Sequence, residues 1–113
     1  MNRRSILAYL IFLVPGLSAC VYNDIPRLPP CDAEATGATF STGVLPIVQA
    51  NCSISGCHDG SVFPKLTTYA EVHNNAALIR PQIISRSMPV DGVLTQDQIN
   101  LIVCWIDNGS VEN

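Results

Sequence analysis

CSISGCHDG, residues 52–60, sets two cysteines five positions apart with a histidine directly after the second, and the reading of the chain turns on what this cluster holds. Three uses compete. A Cys52–Cys57 disulfide is the simplest, since short loops between close cysteines are common in exported proteins, but it leaves His58 without a role. A zinc site could draw on Cys52, Cys57, His58 and His73, although adjacent Cys57 and His58 point in awkward directions for one tetrahedron. The third use is covalent attachment of a haem, which needs two sulfurs at the edge of a flat ring and an imidazole rising under its centre. In the usual form the cysteines stand at i and i+3, on one side of a helical turn. Here they stand at i and i+5, which diverge by roughly 140° on an ideal helix. Ser53-Ile54-Ser55-Gly56 must therefore bulge outward, and small residues with a glycine keep the cost of that bulge low.

Helical signals flank the cluster on both sides. Upstream, FSTGVLPIVQANC (residues 40–52) offers Ser41 or Thr42 as an N-cap and puts Val44, Leu45, Val48 and Cys52 on one face. Pro46 is tolerable there, because the first turn has no intrahelical partner for its missing N–H. Downstream, short helices are expected near Thr68 to Val72 and near Ala76 to Ile84, the second weakened by Pro81. The clearest element is LTQDQINLIVCWIDNG, residues 94–109. Thr95 and Gln98 form a capping box, Asp97 suits the first turn, and Gly109 supplies the stop. Ile99, Ile102, Val103 and Ile106 recur at helical spacing, with Leu94 and Trp105 beside the stripe. No alternating strand pattern of comparable clarity occurs, so the expected fold class is all-α.

The beginning of the chain has a different character. Arg3 and Arg4 precede an apolar run from Ile6 to Val14, too short and too close to the terminus for an ordinary spanning helix, which marks residues 1–19 as a signal peptide. Leu17-Ser18-Ala19-Cys20 resembles the lipobox of bacterial lipoproteins. That resemblance implies cleavage before Cys20 and acylation of its sulfur and new amino group; the alternative is a plain secretory signal. Residues 20–30, CVYNDIPRLPP, read as the lipidated cysteine and an extended tether, and residues 31–113 as one small domain. After cleavage 4 Lys and Arg face 9 Asp and Glu, a net charge of −5, and no basic surface remains to track a phosphate backbone. A domain of this size sits near the lower limit for a core alone, so additional staples are expected.

Four pieces, spread over roughly Phe40 to Gly109, resemble a small single-haem c-type cytochrome of class I: VLPIVQANC, CSISGCH, Met88-Pro89, and the closing helix ending WIDNG. The resemblance implies a cytochrome c-like helical domain around one covalently bound haem c. Cys52 and Cys57 would form the thioethers, and His58 and Met88 would be the axial iron ligands. The four-residue spacer departs from the commonest attachment motif but occurs in the family. His73 is the fallback sixth ligand. The ring N–H of His58 should meet a backbone carbonyl, with Pro64 at a plausible distance. Arg86 either faces a propionate or is a solvated surface arginine.

With Cys20 given to lipid and Cys52 and Cys57 to haem, Cys31 and Cys104 remain, and a disulfide between them would tie the start of the domain to the last helix. Closing a loop of that length stabilises by roughly 4 kcal/mol in chain-entropy terms. The expected function is electron transfer by a lipid-anchored monohaem cytochrome, a carrier and not an enzyme. It would work with redox-protein partners, without nucleic acid and without an evident small-molecule substrate. Its location would be the periplasmic side of a membrane or the outer membrane, Val21 after the lipidated cysteine favouring the latter. The alternative is a haem-free, disulfide-stapled lipoprotein serving as a binding or structural module.

Overall fold

The computed structural model describes residues 31–113. The expected signal peptide, the expected lipid site at Cys20 and the expected tether to Pro30 lie outside the described residues. Those described are helical, with no strand among them: α1 (Ala33–Thr36), a π-helical turn (Phe40–Val44), α2 (Leu45–Asn51), α3 (Tyr69–Asn74), α4 (Ala76–Ile84) and α5 (Gln96–Asp107). Among these, no helix is long and apolar enough to cross a membrane.

α5 organises the rest. Thr95 caps it through the reciprocal box with Gln98: the Thr95 hydroxyl accepts from the Gln98 N–H (3.2 Å), and Gln98 Oε1 accepts from the Thr95 N–H (2.9 Å). Its buried side chains are Ile99, Ile102, Val103, Cys104 and Trp105, while Ile106 is only partly covered. The buried face is broader than a single stripe because the helix is covered from more than one direction. Cys104 is bridged to Cys31, their Cα atoms 5.4 Å apart, which draws the start of the domain onto α5. Trp105 meets Phe40, whose ring centroid lies 5.5 Å away, and Phe40 in turn makes an edge contact with Tyr69 at 5.1 Å. Each such fully buried large side chain contributes about 1.5–3 kcal/mol.

The π-helical turn replaces the expected start of the leading helix. Thr39, not Ser41 or Thr42, stands at the N-cap, and Pro46 is the second residue of α2, directly behind the π-helical turn. Val44 and Val48 face the core as their spacing requires. α3 begins one residue later than expected, behind a Thr68–Glu71 capping box, and α4 spans Ala76–Ile84 with Pro81 inside. α4 and α5 are joined by a two-pronged ion pair, Arg80 Nε to Asp107 Oδ1 at 2.7 Å and Arg80 Nη2 to Oδ2 at 2.9 Å.

Beyond α5 the chain folds back as a strap. The Trp105 indole N–H donates to the Val111 carbonyl (2.8 Å), and the Tyr69 hydroxyl and His73 Nδ1–H both donate to the Ser110 carbonyl (3.0 and 2.9 Å). Asn113 closes it, accepting from the Phe40 N–H through Oδ1 (2.8 Å) and from the Ser41 N–H through its main-chain oxygen (3.0 Å).

Candidate functional site

α2 delivers Cys52 to the site. As the C-cap of α2 it donates its N–H to the Val48 carbonyl (2.8 Å), and Ser53 repeats the bond to the same oxygen (2.9 Å), so the helix cannot continue. The spacer then turns on itself. The Cys57 N–H donates to the Ile54 carbonyl (3.0 Å) with Gly56 at φ +82°, the conformation that the third residue of a type II turn needs and that side chains resist. The His58 N–H returns to the Cys52 carbonyl (3.0 Å). The two cysteines therefore bracket a closed bulge and not a continuous helical turn.

Both thiols of the pair are unbridged and half-buried. Burial pushes the Cys52 thiol above its ordinary pKa, and the neighbouring Cys57 pushes it further. Both effects favour the protonated form of the Cys52 thiol.

His58 is fixed by the loop that follows. Its Nδ1 lies 2.7 Å from the Pro64 carbonyl oxygen. A carbonyl only accepts, so Nδ1 carries the proton and Nε2 is left with its lone pair. The same loop is pinned at two further points, the Val62 N–H to the Cys57 carbonyl (2.9 Å) and the Leu66 N–H to the His58 carbonyl (2.8 Å). Asp59 helps hold its tip: hydrogen bonds from Ser61 draw its carboxyl below the usual range.

Met88 stands in the α4–α5 connection, partly exposed, and lines a cleft of about 100 Å³ with Ile83, Leu94 and Ile99 at its sides. Large apolar side chains are left in water on both segments: Ile54, Val62 and Phe63 beside the cysteine pair, and Ile84, Val90 and Val93 around Met88. Arg86 is exposed, and its guanidinium donates to the Leu94 carbonyl and to Gln96 Oε1. His73 is engaged through Nδ1 with Ser110, next to Tyr69, in the strap.

Among the described residues no three His, Cys, Asp or Glu side chains gather at metal-binding distance, so Cys52, Cys57, His58 and His73 are not assembled as a zinc tetrahedron. The donor set does fit a haem. It offers two unbridged thiols on one bulge, an imidazole whose second nitrogen is free to ligate, a thioether, and uncovered apolar side chains beside each. Sequence reasoning missed the engagement of Arg86 with Leu94 and Gln96. Comparisons with protein-family models, with curated proteins and with solved structures find no match to this chain.

Proposed function

We propose that the chain is a lipid-anchored, single-haem c-type cytochrome that carries one electron at a time between redox proteins. Cys52 and Cys57 would hold the porphyrin through thioethers, and His58 and Met88 would hold its iron. The observation that carries the reading is the hydrogen bond from His58 Nδ1–H to the Pro64 carbonyl, which fixes the tautomer and orients the ring so that Nε2 can ligate. Bound haem supplies a one-electron iron couple.

The chain's own residues define how that couple is used. His58 and Met88 would together hold the iron, favour its reduced form and leave no place for oxygen chemistry. The bulge closed by Gly56 holds the two unbridged thiols on one loop. Ile54, Val62, Phe63 and Val93 supply the apolar cover that excludes water from such a group. The domain is a carrier and not an enzyme, and the acidic balance of the sequence suits a basic partner by electrostatic steering. Acylated Cys20 would keep it at a membrane surface, on the periplasmic side or at the outer membrane.

A haem stain on a denaturing gel tests this, because only a covalent cofactor survives denaturation. Full-length protein produced with haem-maturation factors should stain, and Cys52→Ala with Cys57→Ala together should abolish the stain. A colourless, unstained wild-type protein overturns the reading in favour of a haem-free, disulfide-stapled module.

A further inference from the structure

α4 ends on an arginine in a position that suits glycine. The N–H groups of Arg86 and Ser87 return to the carbonyls of Ile83 (3.2 Å) and Gln82 (3.0 Å), the paired bonds by which a helix closes on a left-handed residue. Arg86 is that residue, at φ +59°. α5 ends with the same pair, Gly109 N–H to Ile106 (3.0 Å) and Ser110 N–H to Trp105 (2.9 Å), and there Gly109 takes the left-handed place at φ +94°. A side chain bearing a Cβ is disfavoured in this conformation and persists only where its surroundings over-determine it.

The surroundings of Arg86 supply that constraint. Nη1 donates to the Leu94 carbonyl (3.1 Å) and Nη2 to Gln96 Oε1 (2.9 Å). Gln96 is itself oriented, its amide nitrogen donating to Asn100 Oδ1 one turn along α5 (2.9 Å). The guanidinium thus ties the end of α4 to the start of α5 across residues 87–93. The near side of that segment is held too, since the Met88 N–H and the Ser87 hydroxyl both donate to the Gln82 carbonyl (3.3 and 3.2 Å).

We propose that Arg86 is a positioning residue whose left-handed turn and two-point clamp hold the 87–93 segment so that Met88 is presented as the sixth iron ligand. This rests on the haem-carrier reading, so its test separates the two.

Full-length wild type, Arg86→Gly and Arg86→Lys are produced with haem-maturation factors. All three should stain equally for haem on a denaturing gel and keep the same helix content, since glycine accepts the turn and lysine keeps the charge. The oxidised wild type should show the methionine-to-iron absorption band. Arg86→Gly should lose most of that band and shift to a lower potential, with amide exchange in residues 87–93 several-fold faster. Arg86→Lys, a single-point donor, should fall between. Stained variants with a full band, an unchanged potential and unchanged exchange overturn the clamp and leave the carrier intact. Stained wild type without the band also overturns it, because Met88 is then not the ligand. Unstained wild type overturns both.

Discussion

Trp105 and Phe63 are both large aromatic side chains, 1% and 83% exposed respectively. Around Trp105 every demand is met internally: its ring packs on Phe40, its indole N–H finds Val111, and the Cys31–Cys104 bridge and the 110–113 strap seal the region. Around Phe63 the backbone is equally well pinned, yet the side chains of Ile54, Val62 and Phe63 stay in water, as do Val90 and Val93 near Met88. A chain with the means to bury aromatic rings in one region leaves them out in another where ligating groups also sit. Exposed apolar surface of this kind is where the proposed haem would be covered.

The contrast can be broken most forcefully at Trp105. Trp105→Ala should cost about 4 kcal/mol or more, by opening a cavity and orphaning the Val111 carbonyl, and thermal unfolding would register it. Next comes the bridge. Cys31→Ala should lower stability by about 4 kcal/mol through the 73-residue loop it releases, while the haem stain persists; loss of the stain would show that the two regions are not separable.

A smaller effect is expected on the seam between them. Glu71 is held down to about 2 by the Thr67 hydroxyl and N–H, helped by Lys65, against about 4.3 in an unfolded chain. Because its folded pKa is depressed, its contribution is present above about pH 4.3 and is lost as pH falls towards 2. The melting temperature of Glu71→Gln should therefore fall less steeply than that of wild type between those values. An identical slope would remove Glu71 from the acid response. The least effect belongs to Phe63→Ser. In the haem-free chain it should change stability by no more than about 0.5 kcal/mol, whereas in the stained protein it should lower it measurably. Equal effects in both forms would mean that nothing covers Phe63.

The two regions also differed in how far they could be read in advance. α5 was legible from Thr95, Gln98 and the apolar repeat, because capping and periodicity are written in side chains. α4 matched its expected span. The short α1 carries too few residues for a period, and the π-helical turn at Phe40 has no sequence signature that separates it from an α-helical start. The strap was invisible for a plainer reason: it is held largely through main-chain carbonyls, which every residue has. At the site, the His58–Pro64 bond was legible from spacing and Gly56 from its composition. The Arg86 clamp was not, since it joins a side chain to a carbonyl eight positions on, and no pattern announces such a pairing.

The bridge at Cys31 has a mechanical consequence. Tension arriving along the chain at residue 31 meets a covalent cross-link at Cys31 itself. It passes through sulfur to Cys104, three-quarters of the way along α5, leaving the short helix at 33–36 unloaded. A pull applied at Cys31 therefore drags the central beam of the domain and does not peel its weakest element away.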